Sequence, residues 1–165
     1  MTHPNDTIEI LLTQGKVAVI NAADWQIVAP YSWVANQVDG RWYAVSRDGG
    51  GHTLMHRLIV GAASGLDVDH WDRDGLNNRR HNLREATRSQ NMANVPIRAG
   101  NKSGYKGVSW HSGAKKWRAT IKQNYRQVHL GFYADASDAA RAYDAKAIEL
   151  FGEFAHLNFP IVTQP

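Results

Sequence analysis

The sequence predicts an α+β chain in two parts: a β-rich N-terminal part closing on a strand–loop–strand–helix unit, then a small three-stranded antiparallel sheet packed on one helix. Three observations predict it. Short runs alternating apolar and polar residues, broken by Gly, Asn and Asp, recur between residues 8 and 133. One stretch, 135–152, instead repeats Ala140, Tyr143, Ala147, Leu150 and Phe151 at spacings of three or four, the period of a helix face. Between the two parts, residues 95–102 hold a proline and no apolar periodicity, as a linker would.

In order, 8–12 and 16–20 read as two strands joined by a turn at Thr13, Gln14 and Gly15. Asn21 can cap a short helix over 22–28, which Pro30 stops. Residues 31–37 and 41–47 are aromatic and β-branched runs separated by Asp39-Gly40, a hairpin signal, and Trp25, Trp33, Trp42 and Tyr43 are expected to fill a core. After the glycines at 49–51, residues 53–60 form a compact amphipathic segment carrying His56 and Arg57. Residues 66–70 alternate as a half-buried strand, 71–80 form a loop and 81–86 a second strand. Thr87 with Gln90 fits a capping box, which starts a helix there and places Asn91 in its first turns. Strands over 105–110, 116–123 and 127–133 make the second sheet, whose helix covers one face and leaves the other open.

With 165 residues, 43% hydrophobic and 10% aromatic, the chain can build packed cores. The absence of cysteine excludes disulfides and thiolate zinc sites and fits an intracellular protein. No apolar run approaches a membrane span, and MTHPNDTIEI lacks the basic and apolar regions of a signal peptide. A soluble, cytoplasmic protein with no membrane partner is expected. The net charge of +4 is unevenly spread: residues 98–134 hold eight basic side chains and no acidic one. Such a field attracts a polyanion, and nucleic acid is the leading partner.

The chemistry concentrates in 67–94, DVDHWDRDGLNNRRHNLREATRSQNMAN. Asp69 and Asn91 offer the hard oxygen ligands a divalent cation takes, and His70 can accept a proton from water. Hydrolysing a phosphodiester needs an activated water, charge stabilisation in the transition state and stabilisation of the leaving oxygen. One cation and one imidazole cover all three. Adjacent strand residues point to opposite faces, so a bend is required for Asp69 and His70 to serve one site. Asp72 and Asp74 with Gly75 start like a calcium loop, but the glycine comes early and the closing glutamate is missing. Neither His-Glu-x-x-His nor Pro-Cys-x-x-Cys is present, against a zinc protease or deaminase. Arg73, Arg79, Arg80, Arg84 and Arg88 surround the stretch, and their planar forks suit phosphate.

The runs MHRLI, LDVDH, DGLNNRRHNLR and TRSQNMAN resemble the HNH endonucleases of phage homing type, over roughly residues 8–94. The resemblance implies a ββα-metal fold, with Asp69 and Asn91 ligating Mg²⁺ or Mn²⁺ and His70 as general base. It also implies that Asn82 ties the loop to the strand and orients His70. SGYKGVSW, KKWRATIK, HLGFY, AARAYD and LNFP, over 103–160, resemble the DNA-binding domain of plant apetala/ethylene-response-factor proteins. By position, Lys106, Ser109, Thr120, Lys122, Gln127 and His129 match that family's DNA contacts. The plant pattern has arginine at the places of Ser109 and Gln127, glutamate at Thr120 and tryptophan at His129, so the plant target sequence does not carry over. Arg118 lies on the same sheet, whose open face would meet the major groove.

The expectation is a metal-dependent, site-selective DNA endonuclease of phage or mobile-element homing type, leaving 5′-phosphate and 3′-hydroxyl ends. Residues 1–97 would be the nuclease domain (β-rich over 1–53, catalytic over 54–94), 98–102 a linker and 103–160 the DNA-binding domain. Double-stranded DNA is the expected partner of a monomer or transient homodimer, with no small-molecule substrate. The alternative is a DNA-binding regulator with an inactive nuclease domain.

Overall fold

The structure is a computed structural model that describes residues 6–97 and 100–160. It is α+β, built from small antiparallel sheets and few helices, and divides into two compact units, Met1–Thr87 and Arg88–Pro165.

In the first unit, β1 (Thr7–Leu11) and β2 (Val17–Asn21) pair as a hairpin, and alternation turns Ala18 and Ile20 fully inward. β3 (Trp33–Val38) and β4 (Arg41–Ser46) join through Asp39 and Gly40, at φ 48° and 80°, the left-handed conformations of a tight hairpin turn. β5 (Thr53–Leu54) extends this sheet and runs into α2 (Met55–Val60), which ends on left-handed Gly61. Ile20, Val28, Ala44, Met55, Ile59, Val68 and Leu83 share one core, with Trp33 and Trp42 packed against it. Fully burying side chains such as Ile20 or Met55 contributes roughly 1.5–3 kcal/mol each. Trp25, by contrast, is exposed.

The helix expected over 22–28 is shorter. A 3₁₀ turn, Ala22–Asp24, leads into the single turn α1 (Trp25–Val28), and Asn21 makes no capping bond there. Its Oδ1 instead accepts the backbone N–H of Arg80 at 2.8 Å. The residue that looked like a helix cap is a clasp to a distant loop.

β6 (Asp67–His70) pairs antiparallel with β7 (Leu83–Ala86), setting Asp69 opposite Arg84 and His70 opposite Leu83. Their connecting loop returns to β2: Val19 N–H donates to Leu76 O (2.9 Å) and Asn78 N–H to Val19 O (2.7 Å). Gly75 makes a further close approach, since a Cβ there would sit 2.3 Å from Trp42 O and 2.6 Å from the Tyr43 ring.

In the second unit, α3 (Arg88–Asn94) is followed by β8 (Val108–His111), β9 (Lys116–Gln123) and β10 (Arg126–Tyr133), in the order β10-β9-β8. α4 (Ala136–Phe151) covers one face. Ala139 and Ala140 pack on Val108 and Ala119, while Tyr143, Ala147 and Phe151 pack on Ile121. Gly107, at φ 77°, is required because a Cβ would lie 2.0 Å from the Tyr143 ring. The buried carboxylate of Asp144 accepts the backbone N–H groups of Asn158 (2.9 Å) and Phe159 (2.8 Å), which fastens the closing segment to α4.

The division falls after Thr87, ten residues before the boundary expected at 97. Ala93 packs with Ile121, Tyr143, Ala147 and Phe151, and Ala93 O accepts His156 N–H at 3.1 Å. The Lys106 ammonium also donates to Ala93 O, and to Val95 O at 2.6 Å. α3, expected to complete the N-terminal part, thus packs in the second unit. Of the expected linker, residues 98 and 99 lie outside the described residues.

Candidate active site and nucleic-acid interface

The β6–β7 loop is held by its own side chains. Asn82, 4% exposed, accepts Asp72 N–H at 3.0 Å and donates both amide protons, to Asp72 Oδ1 and Asn77 O, at 2.8 Å each. Its backbone carbonyl accepts Trp71 N–H at 2.8 Å, closing the loop where β6 ends. Asp72 Oδ1 also accepts Asp74 N–H, and Oδ2 accepts the Asn77 amide. Burial alone would raise the Asp72 carboxyl, but these bonds hold it below its ordinary value.

His70, the last residue of β6, is 6% exposed. Asn78 Oδ1 lies 3.5 Å from its Nε2, the His56 ring meets it edge-on at 4.8 Å, and the Tyr43 ring lies at 6.0 Å. Burial pushes His70 below its ordinary value, opposed by the Asn78 bond and the Asp72, Asp69 and Asp74 carboxylates, so it is neutral near pH 7. His56 is pushed down to about 3, by burial first and then by the charges of His70 and Arg57, with Asp67 opposing. Its Nδ1 is buried with no hydrogen-bond partner. A neutral imidazole is the form a general base needs.

Asp69 is 5% exposed, and its Oδ2 accepts Arg84 Nη2 (2.8 Å) and Nε (3.0 Å). Arg84 in turn stacks on the exposed Trp71, its guanidinium carbon 4.2 Å from the ring centroid. The ladder is unbroken through Asp69 and His70, so the bend expected between them is not made inside β6; the chain turns directly after, where Arg73 N–H bonds His70 O at 2.9 Å. Asn91 lies on α3 in the second unit. The donor chemistry fits a hard cation, one carboxylate and one amide oxygen. Among the described residues no group of three or more His, Cys, Asp and Glu side chains could hold a metal.

Arg79 and Arg80 both serve the loop. Arg79 Nε donates to Asn77 Oδ1 at 2.8 Å, and Arg80 pairs with the buried Asp24 at 2.7 Å while its own side chain stays half exposed.

On the second sheet, Ala119 and Ile121 face α4, so the alternate residues of β9 line the open face. Register groups Ser109 with Arg118, Thr120 with His129, and Lys122 with Gln127 there. Lys106 precedes β8, and its ammonium caps the carbonyl end of α3. One open-face residue escaped the sequence reading. Phe132, 42% exposed, lies opposite Arg118, with His111 and His129 rings at 5.0 and 4.7 Å. Strict alternation along β10 would have turned Phe132 inward, but an irregularity between His129 and Gly131 reverses it. Asn78 was missed for a different reason: Asn77 and Asn78 are indistinguishable until the bridge to Val19 is known.

A neutral buried histidine thus ends β6, beside a loop locked by asparagines. The HNH endonuclease family matches residues 52–93. An uncharacterized HNH endonuclease of Acanthamoeba polyphaga mimivirus is 33% identical over 150 residues, covering 88% of this chain and 76% of that one. The chain belongs to the HNH endonuclease family. Protein 3.8 of Escherichia phage T7 is 33% identical over 94 residues, 57% of this chain and 77% of that protein. An ethylene-responsive transcription factor of Arabidopsis thaliana is 45% identical over 62 residues, covering 36% of this chain and 25% of that protein. No solved structure matches. No helix among the described residues is long and apolar enough to cross a membrane.

Proposed function

We propose that the chain is a divalent-metal-dependent, site-selective DNA endonuclease, directed to duplex DNA by an apetala/ethylene-response-factor-type sheet. The observation that carries this reading is His70: buried, neutral, ringed by Asn78, His56 and Tyr43, and inside the stretch that matches the family. In this reading 1–97 serve cutting and 103–160 serve binding.

His70 takes a proton from water as the water oxygen attacks phosphorus. The P–O3′ bond breaks, leaving a 5′-phosphate and, once the departing oxygen is protonated, a 3′-hydroxyl. Asn82 holds the loop still while this happens. Asp69 and Asn91 would hold the cation, Mg²⁺ by preference with Mn²⁺ able to replace it. A bound cation supplies positive charge to the transition state and the leaving oxygen. Arg84 must release Asp69 Oδ2 to the extent that the cation needs it. Arg79 and Arg80 can still offer remaining guanidinium protons to the DNA backbone.

Ser109, Arg118, Thr120, Lys122, Gln127 and His129 form the DNA-reading face, supported by the lack of any acidic residue over 98–134 and by the partial likeness to plant DNA-binding factors. Lys106 contributes by anchoring α3. One catalytic centre per chain makes a monomer a nicking enzyme, and double-strand cutting takes a transient homodimer or two events. A homing role in a phage or mobile element, in the host cytoplasm, fits the viral relatives.

The test is cleavage of a broad duplex library with Mg²⁺, with and without chelator, beside His70→Ala. Cutting by the wild type alone, abolished by chelator, supports the reading. A protein that binds duplex DNA and never cuts it is the regulator of the alternative.

A further inference from the structure

We propose that Asn78 is the positioning residue that sets the His70 tautomer, keeping the proton on Nε2 and leaving Nδ1 as the proton acceptor; the catalytic consequence rests on the nuclease reading above.

Asn78 is 0% exposed and its amide cannot turn freely. Nδ2 donates to Leu76 O at 3.0 Å, and that carbonyl also accepts Val19 N–H at 2.9 Å, while Asn78 N–H donates to Val19 O at 2.7 Å. Flipping the amide would set Oδ1 against the Leu76 carbonyl, two acceptors face to face. Oδ1 is therefore the atom presented to His70 Nε2, at 3.5 Å. A carbonyl oxygen only accepts, so the contact is a hydrogen bond only in the tautomer that carries the hydrogen on Nε2. In a neutral imidazole the lone pair is then on Nδ1.

Asn82 cannot do this work by donation, because both of its amide protons are committed to Asp72 and Asn77. The two asparagines divide the labour: Asn82 locks the loop and Asn78 addresses the ring. The edge-on His56 ring completes the seat. Rotating His70 by half a turn would put a carbon against Asn78 Oδ1 and lose the bond.

The experiment is ¹⁵N-histidine NMR of the full chain near neutral pH, with the His70 signal identified by its loss in His70→Gln. The wild type is expected to show protonated Nε2 and unprotonated Nδ1. Asn78→Leu should move His70 toward a mixture of tautomers and slow cleavage at least about ten-fold without changing DNA affinity. Asn78→Asp, which keeps an acceptor, should retain the wild-type tautomer. A wild-type His70 protonated on Nδ1, or a tautomer unchanged in Asn78→Leu, overturns the proposal. The wild-type spectrum decides even where Asn78→Leu does not fold. If the spectrum is as expected and no DNA is cut, the tautomer assignment stands and the nuclease reading falls.

Discussion

The β6–β7 loop and the open face of the β8–β10 sheet are both polar, yet they are built oppositely. In the loop, Asn78 and Asn82 are almost fully buried and the donors and acceptors of Asp72, Asn77 and Asn82 are spent on one another. On the sheet, Lys116, Lys122, Gln127 and His129 stand exposed in a stretch without acidic residues. Under the proposed function the difference has a reason: proton transfer needs atoms fixed in place, as the bonded loop provides, and attraction to a polyanion needs charge left available, as the exposed sheet face provides. Cutting and binding should therefore respond to different substitutions.

Breaking the loop should change both stability and cleavage. Asn82→Ala strands Asp72 N–H and Asn77 O, and should lower stability by about 1–3 kcal/mol in urea denaturation. Cleavage should fall by roughly 100-fold. A stable variant that cuts normally would show that the loop's rigidity is incidental.

On the sheet, Arg118→Ala and Lys122→Ala should each weaken DNA binding by up to about ten-fold and reduce the salt dependence of the affinity by about one counterion. Cleavage of DNA already bound should be unchanged. Unaltered salt slopes in both would remove the open face from the DNA contact.

A smaller effect distinguishes burial of charge-capable groups from their exposure. His56 stays neutral in the folded chain down to about pH 3, whereas the unfolded chain protonates it near its ordinary value of 6.5. The unfolded state binds more protons in that window, so stability falls as pH drops from 6.5 toward 3. Thermal melts should show this loss, and His56→Leu should flatten it; an equally steep acid loss in the variant would place its origin elsewhere.

The smallest change concerns Arg84. If it competes with a cation for Asp69, Arg84→Leu should reach half-maximal cleavage at a few-fold lower Mn²⁺. A higher requirement would mean that Arg84 supports the site.

Much of this was legible in the sequence where the signal is local. The Asp69–His70 strand, the Asp39-Gly40 turn and the α4 stripe each lie within a few residues of one another, and each forms as read. What was not legible depends on distant partners. Asn21 looks like a cap until Arg80, 59 residues on, claims its oxygen. That Ala93 of α3 packs with Ile121 and Phe151 is likewise set by residues far along the chain. The bonds from the Lys106 ammonium to the carbonyls that end α3 are also invisible to local pattern. The choice between Asn77 and Asn78 as the partner of His70 is made by a bridge to Val19.

The most direct test of the division between cutting and binding measures affinity and single-turnover cleavage on one duplex, for His70→Ala and for the double variant Arg118→Ala/Lys122→Ala. His70→Ala should bind like the wild type and lose cleavage by about 10²–10⁴-fold. The double variant should bind weakly and, at saturating protein, cut at the wild-type rate. If both variants change the same quantity, cutting and binding are not separate in this protein and the account is contradicted.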